Sequence, residues 1–282
     1  MSPKSEQAFK YEGLGNDFVV LDRRASGEDL SPSASRSVCD RRRGVGADGV
    51  LVLLPSSRAP VRMVVHNADG SVAEMCGNGL RCVVKHLLDR DPGRDALEVE
   101  TGAGVLPARV RRSGAEVVEV ELELGPARLQ AANLPSGSGG GPFVAVPVPG
   151  VEWPGTAVSM GNPHLVLLGA PPEVVRQHGP RLEYAAGFPE RTNVEAVTRA
   201  GDGLQVSVWE RGAGLTDACG TGAAAAVAAA RVAGWVPPDV FVPVDLPGGR
   251  LAVRVSGDLQ RTTLRGPARF VFSAELPEAL LD

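Results

Sequence analysis

The chain has 282 residues, of which 43% are hydrophobic and 22% are charged, as in a soluble folded protein. This length favours two domains over one core. A formal net charge of −4, with both signs spread along the chain, argues against a basic face for nucleic acid or a membrane surface. Residues 1–7 lack the apolar core of a signal peptide, and the longest apolar run, 223–236, is too short to cross a bilayer. We therefore expect a cytoplasmic protein.

The first half is predicted to contain two helices among several strands. A short helix begins at 31–33 and carries Cys39, and a buried core helix runs from Cys76 to about Asp89, with apolar residues at helical spacing. The glycine loop at 44–49 precedes a strand and lacks the Lys-Ser/Thr of a phosphate-binding loop. The predicted strands are 9–11, 18–22, 50–54, 61–66, 97–101, 105–111 and 117–124.

The second half repeats this mixture. A helix at 172–178 and a long alanine-rich helix after Cys219 are predicted, and 134–142 is expected to be a flexible loop. The predicted strands are 128–129, 156–160, 165–168, 204–209, 240–245, 251–255, 262–264 and 269–272. Strands outnumber helices without a regular βαβ alternation, so we predict an α+β fold with one central helix per sheet. We divide it into residues 1–124 with 268–282, and residues 125–267.

Four cysteines show neither a CxxC pair nor paired zinc spacing, so we predict no metal site. Cys39 and Cys82 are expected to be small buried hydrophobic residues. Cys76 and Cys219 each open a Cys-Gly-[Asn/Thr]-Gly turn that enters a helix. At a helix N-terminus the unpaired N–H groups and the helix dipole favour the thiolate, so we expect lowered thiol pKa values there.

This repetition suggests a chemistry. Two halves that face each other across a cleft would bring the two thiols together, one as base and one as acid on opposite faces of a carbon. The remaining N–H groups at the helix ends can hold an anion such as a carboxylate. Inversion of an amino-acid stereocentre requires this geometry and needs no metal or pyridoxal group.

Longer strings around these turns resemble diaminopimelate epimerases. They are GLGNDF at 13–18, NADGS-x-x-EMCGNG-x-RC at 67–82, SMGNPH at 159–164, FPERTN at 188–193 and ERGAGLTDACGTG at 210–222. The resemblance implies a cofactor-independent, two-base isomerase that interconverts LL- and meso-2,6-diaminopimelate, on the route to lysine and peptidoglycan. It also implies two pseudo-symmetric halves, each a mixed sheet wrapped around a central helix, and a homodimer.

The resemblance further implies roles for individual residues. Cys76 and Cys219 correspond to the base and acid, and His164 and Glu210 to residues beside the reacting amino group. Backbone N–H groups at Gly77, Asn78, Gly220 and Thr221 would hold the reacting carboxylate. The distal amine and carboxylate would be recognised by Asn16, Asn67, Asn162, Asn193 and Arg211.

Two other functions are compatible with parts of this pattern. One is a different racemase or isomerase of the same superfamily, acting on proline, histidine or an unsaturated tricarboxylate; Glu210-Arg211 and the asparagines argue against it. The other is a non-catalytic redox role in which Cys76 and Cys219 cycle through a disulfide. Gly49 stands where many family members have a substrate-contacting glutamine, which bears on substrate affinity.

Overall fold

The computed structural model describes residues 5–281, so most of the segment 1–7, to which the absence of a signal peptide refers, lies outside the described residues. The chain forms two compact units, Met1–Leu122 with Gly266–Asp282, and Glu123–Arg265. Within residues 5–281, no helix is both long and apolar enough to span a membrane.

The first unit contains eight of its strands and two helices before the chain enters the second unit. In chain order they are β1 (Ser5–Gly13), β2 (Asn16–Asp22), α1 (Pro32–Cys39), β3 (Gly49–Leu54), β4 (Val61–Asn67), β5 (Val72–Ala73), α2 (Gly77–Leu88), β6 (Ala96–Thr101), β7 (Gly104–Ser113) and β8 (Glu116–Gly125).

The second unit also contains eight strands and two helices, and the last strand of the chain returns to the first unit. The elements are β9 (Gly155–Ser159), β10 (Pro163–Leu168), α3 (Glu173–Leu182), β11 (Asn193–Ala200), β12 (Gly203–Glu210), β13 (Gly214–Thr216), α4 (Gly220–Val232), β14 (Phe241–Leu246), β15 (Gly249–Val255), β16 (Thr262–Gly266) and β17 (Arg269–Pro277). Two single-turn 3-10 helices lie at Ser138–Gly140 and Glu278–Leu280.

Strand pairing shows that the two units share one topology. In the first, β1 and β2 pair antiparallel, β2 and β3 parallel, β3 and β4 antiparallel, β4 and β6 parallel, and β6 through β8 antiparallel. The second unit repeats this order of pairings from β9 through β16. The short strands β5 and β13 occupy equivalent places, each just before the central helix. β17 pairs antiparallel with β1.

Each sheet wraps around its own central helix. In α2 the nine residues from Asn78 to His86 are all buried, and in α4 the nine residues from Gly222 to Ala230 are buried. A helix buried on all sides is expected to be apolar all round, which α4 achieves with alanine. α2 instead carries buried cations, and Lys85 donates to the Val117 carbonyl at 2.6 Å and lies 3.0 Å from Asp89. The predicted α+β class and the two central helices are confirmed.

Several predicted bounds were wrong. α3 continues to Leu182 and contains Pro180, although a proline inside a helix removes a backbone hydrogen bond. Residues 128–129 form no strand; only Arg128 bridges Ser159. The strands β5, β11 and β13 were missed, and in β11 a buried glutamate, Glu195, interrupts the apolar run that would have marked it.

Candidate functional site

In the first unit, Cys76 is the N-cap residue of α2. Its backbone is extended (φ −138°, ψ 113°), and its Sγ accepts a hydrogen bond from the Gly79 N–H at 3.4 Å. A Cβ added at Gly79 would lie 2.9 Å from Leu51 Cδ2, so the glycine lets the first turn of α2 approach the sheet. Gly77 has no neighbour within 4 Å of such a Cβ among the described residues. The sulfur is therefore held at the end of the helix by the backbone itself.

Asn16 comes to this thiol from the hairpin between β1 and β2. Leu14 and Gly15 adopt positive φ values of 58° and 82°, as a two-residue hairpin turn requires. The Asn16 amide nitrogen donates to Asp48 Oδ2 at 2.7 Å, which leaves its oxygen to accept from Asn78 Nδ2 at 3.3 Å and from the Cys76 thiol at 3.9 Å. Asp48 thus sets which end of the amide faces the sulfur.

Two cations, Lys10 and Arg41, form ion pairs with the aspartates beside this hairpin. Lys10 lies 2.6 Å from Asp17, and Arg41 lies 2.6 Å from Asp17 and 2.8 Å from Asp48. Burial raises the pKa of Asp17, but hydrogen bonds from Arg41 and Lys10 outweigh it and lower that pKa to about 2. The Asp17 carboxylate therefore stays ionised and paired with both cations, and Asp48, which also pairs with Arg41, orients Asn16.

Arg81 is a residue of this site to which the sequence assigned no role. It is fully buried, donates to Asn78 Oδ1 at 2.9 Å and to the Pro267 carbonyl at 3.0 Å, and its Nη1 has no partner among the described residues. Burial lowers the pKa of Arg81, and the electrostatic influence of Cys82 and Cys76 opposes this. The guanidinium is thus a buried positive charge behind Cys76. Its position in the Asn-Gly-x-Arg-Cys motif was the available signal.

Asn67 does not join the hydrogen-bonded group at Cys76. Its side-chain amide donates to Ser71 Oγ at 2.9 Å, within the turn that follows β4. Its backbone carbonyl accepts from Ser35 Oγ at 3.0 Å. Gly49, noted for the absence of a glutamine, would place a Cβ 2.7 Å from the His66 carbonyl. Asn67 therefore stabilises the turn after β4, and the close approach of the β4 backbone favours glycine at position 49.

In the second unit, Cys219 is the N-cap residue of α4 with nearly the same backbone (φ −125°, ψ 111°). Its Sγ accepts from the Gly222 N–H at 3.4 Å and lies 3.6 Å from Thr221 Oγ1. The Thr221 hydroxyl accepts from Asn162 Nδ2 at 3.3 Å. The Asn162 oxygen is 3.0 Å from His164 Nε2. Three predicted residues therefore connect in one series to this thiol.

The series continues to a residue that sequence reasoning missed. His164 is fully buried, and its Nδ1 lies 2.7 Å from Oε1 of Glu195, which is also fully buried. Burial raises the pKa of Glu195, and His164 opposes the rise. A Cβ at Gly222 would lie 3.0 Å from Glu195 Oε1, so α4 passes close to this carboxylate. The signal in the sequence was an acidic residue between apolar ones after Asn193-Val194.

The other predicted residues of this unit lie around the turn between β12 and β13. Glu210 accepts from the Thr216 hydroxyl at 2.5 Å. Asn193 is buried and spans two backbone segments, accepting from the Arg211 N–H at 2.8 Å and donating to the Pro163 carbonyl at 3.0 Å. The Arg211 guanidinium donates to the Glu190 carbonyl at 2.8 Å. Asn193 thus holds the Glu210-Arg211 turn in place.

The expectation of a lowered thiol pKa is wrong for Cys219. Burial raises its pKa well above the usual value, the Glu210 and Glu195 carboxylates raise it further, and bonds from Thr221 and Gly222 only partly oppose them. Desolvation and the nearby carboxylates outweigh the hydrogen bonds that the helix start supplies. Burial likewise raises the pKa of Cys39 to about 11, and both Cys39 and Cys82 are buried, as predicted.

Solved structures share this fold. A hydroxyproline epimerase from Agrobacterium vitis with bound trans-4-hydroxy-L-proline superposes with a TM-score of 0.68 at 16% identity, covering 98% of this chain and 92% of that one. A predicted epimerase from Pseudomonas aeruginosa gives a TM-score of 0.69 at 18% identity, covering 96% of this chain and 99% of that one.

Curated relatives match along nearly the whole chain. A diaminopimelate epimerase of Synechococcus sp. (strain JA-3-3Ab) is 43% identical over 95% of this chain and 97% of its own length. The enzyme of that name from Desulfitobacterium hafniense is 41% identical over 97% and 99%. The family model described as diaminopimelate epimerase matches residues 8–130 and 156–271. The chain therefore belongs to the diaminopimelate epimerase family.

Proposed function

We propose that this protein is an isomerase that interconverts LL- and meso-2,6-diaminopimelate without a cofactor, in the synthesis of lysine and peptidoglycan precursors. Family membership supports the reaction and the substrate. The observation that carries the mechanism is the pair of N-cap thiols, Cys76 and Cys219, one in each of two units of the same topology.

The chemistry balances with two thiols and no other reagent. A thiolate removes the proton from the α-carbon, which leaves a carbanion and a thiol. The second thiol gives its proton to the opposite face of the same carbon and becomes the thiolate. Cys76 and Cys219 fill these two roles, and their protonation states exchange in each turnover.

The carbanion needs stabilisation because an α-proton of an amino acid is a weak acid. The first N–H groups of a helix have no acceptor within the helix. We assign those at Gly77 and Asn78 and at Gly220 and Thr221 to the reacting carboxylate, whose charge grows as the proton leaves.

The polar side chains around the two turns supply recognition of an amino acid with a second head group. We assign His164 and Glu210 to the surroundings of the reacting amine, since both are placed in the unit of Cys219. The distal amine and carboxylate are assigned to Asn16, Asn67, Asn162, Asn193 and Arg211. Removal of Arg211 therefore weakens binding of diaminopimelate far more than binding of a small monocarboxylate.

The test is proton NMR of the reduced protein with LL-diaminopimelate in deuterated water. The signal of one α-proton should disappear while the meso isomer forms. Cys76→Ala and Cys219→Ala should each lower the rate by about 1,000-fold or more, since general acid–base groups contribute about 10² to 10⁴ and here each variant removes an obligatory partner. Activity should survive dialysis against a chelator.

Cys39→Ala is the matched control, because Cys39 is a buried thiol in the first unit that the mechanism does not use. Retained turnover in either Cys76→Ala or Cys219→Ala would show that the two-thiol mechanism is wrong. Exchange with proline or histidine, and none with diaminopimelate, would assign the protein to another racemase activity of the superfamily.

We propose further that the protein is a homodimer in the cytoplasm. A reaction that depends on two reduced thiols suits a reducing compartment. On β17, Phe270, Val271 and Phe272 are consecutive and between 43% and 48% exposed, which is typical of an interaction surface on an edge strand. Light scattering should show a dimer that becomes monomeric in Phe270→Glu/Phe272→Glu. Val118→Glu, an exposed valine on β8, is the control and should leave the mass unchanged.

A further inference from the structure

Glu195 is a fully buried carboxylate outside the set of residues assigned above. Its Oε1 lies 2.7 Å from His164 Nδ1, and its Oε2 has no hydrogen-bond partner among the described residues. A buried charge of this kind is costly, and an apolar residue of similar volume often stabilises a fold as well. The presence of Glu195 on β11 is therefore better explained by what it does to His164.

The hydrogen-bond partners fix where the protons of this pair are. His164 Nε2 faces the oxygen of the Asn162 amide at 3.0 Å, and an amide oxygen can only accept, so Nε2 carries a proton. The contact between Nδ1 and Oε1 requires a second proton between those atoms. Glu195 and His164 together then hold two protons and are neutral overall, which is the charge state that a buried site tolerates.

The same direction of donation continues to the thiol. Because the Asn162 oxygen accepts from His164, its nitrogen donates to Thr221 Oγ1 at 3.3 Å. The Thr221 oxygen is then an acceptor on that side, and its own hydrogen is available to Cys219 Sγ at 3.6 Å. Each donor in the series is oriented by the one before it, beginning at Glu195.

We propose that Glu195 is a positioning residue of the epimerase. It holds His164 so that hydrogen-bond donation runs through Asn162 and Thr221 toward the sulfur of Cys219. A hydroxyl that points at the sulfur stabilises the thiolate each time Cys219 gives up its proton. This inference rests on the proposed function, in which Cys219 is one of the two acid–base groups.

The shape of the neighbouring turn agrees with this role. Gly222 is the last residue of the Cys219 turn, and a Cβ there would lie 3.0 Å from Glu195 Oε1 and 3.3 Å from Cys219 Cβ. The turn that presents the thiol is therefore in van der Waals reach of the carboxylate.

The test compares Glu195→Gln with Glu195→Leu in the full chain. Glutamine can donate to His164 Nδ1 and keep the direction of the series, whereas leucine fills the space without a partner. We expect kcat for diaminopimelate to fall about 10- to 100-fold in the leucine variant, equivalent to the loss of one hydrogen bond to a charged group, and less in the glutamine variant. The free energy of unfolding of the leucine variant should be equal to or higher than that of the glutamine variant. A kcat of the leucine variant that equals or exceeds the kcat of the glutamine variant overturns the proposal.

A second measurement does not depend on turnover, and its first result comes from the unaltered protein. Nitrogen-15 NMR of ring-labelled histidine in the unaltered protein should show His164 protonated at Nε2, with the Nδ1 signal altered in Glu195→Leu. Glu183→Gln is the control: Glu183 is a buried glutamate of the same unit, bonded to Arg191 and Trp209, and its replacement should leave the His164 signals unchanged. An unprotonated Nε2 in the unaltered protein overturns the proposal, whereas absence of epimerisation alone counts against the proposed function.

Discussion

The two units present the same backbone with opposite charges. Each has an N-cap cysteine bonded to the N–H three residues later, and nine consecutive buried residues in the helix that follows. Behind Cys76 the buried charge is the guanidinium of Arg81, on the helix itself. Around Cys219 the carboxylate of Glu210 on β12 supplies a negative charge, and Glu195 on β11 forms a pair with His164 that is neutral overall. A duplicated fold therefore holds two thiols in the same local geometry but in different electrostatic surroundings.

This difference bears on a reaction that runs in both directions. A base and an acid must be in opposite protonation states at the start of each turnover, and identical surroundings would not favour one arrangement over the other. Charges of opposite sign near the two sulfurs break that symmetry.

The largest expected effect concerns a buried histidine in each unit. His164 has a carboxylate partner, whereas His86 in α2 has the Tyr11 hydroxyl at 3.3 Å. Burial, and next Arg90, lower the pKa of His86 to about 4. Because the folded pKa lies below the unfolded value of about 6.5, the stability from keeping His86 neutral is present above about pH 6.5 and is lost as the pH falls toward 4.

We expect the unaltered protein to lose about 2 to 3 kcal/mol of unfolding free energy from His86 between pH 7 and pH 4. Urea unfolding at both pH values should show a smaller loss in His86→Phe, which can pack against Phe9 and Tyr11. The same substitution at His178, a partly exposed residue of α3, should keep the full pH dependence. An equal acid loss in all three proteins would mean that His86 is not the sensitive group of the first unit.

The second prediction concerns the glycines that close the two turns. A Cβ at Gly79 would lie 2.9 Å from Leu51, and one at Gly222 would lie 3.0 Å from Glu195 and 3.2 Å from Val208. Gly79→Ala and Gly222→Ala should each lower the unfolding free energy by about 1 to 3 kcal/mol, the usual cost of overpacking. Only Gly222→Ala should also change the His164 NMR signals. Gly77→Ala, with nothing near its Cβ, should be neutral or stabilising by up to about 1 kcal/mol; a loss as large as that of Gly79→Ala would show that the contacts do not decide the effect.

Much of the fold could be predicted from the sequence because its signals are local. Ser31 before Pro32, and the two cysteine turns, marked helix starts that the structure reproduces. The strand β11 could not be recognised, because Glu195 is buried there by pairing with a histidine that lies 31 residues earlier in the chain. Only tertiary structure brings those two residues together.

The site divides in the same way. Cys76 and Cys219 could be identified because the turn that holds them is a repeated local motif, and His164 and Asn162 because they stand in a family string. Arg81 lay inside such a string, but its burial next to Asn78 and Pro267 depends on β17 returning to the first unit. The raised pKa of Cys219 was not predictable either, since it results from burial and from carboxylates on β11 and β12.

The smallest effect is the most direct test of the opposite charges. Iodoacetamide labelling, followed by mass spectrometry of the separate Cys76 and Cys219 peptides, reports how readily each sulfur reacts as the thiolate. Arg81→Met removes the positive charge behind Cys76, so its labelling should slow, and Arg81→Lys, which keeps a charge, should slow it less. Glu210→Gln removes a carboxylate that raises the pKa of Cys219, so labelling of that cysteine should become faster. We expect each labelling rate to change about tenfold.

The cysteine of the other unit is the internal reference in each variant. Changes of the same sign at both cysteines would mean that the variants alter access to the sulfurs, and that the two units do not differ in the electrostatic sense inferred from Arg81 and Glu210.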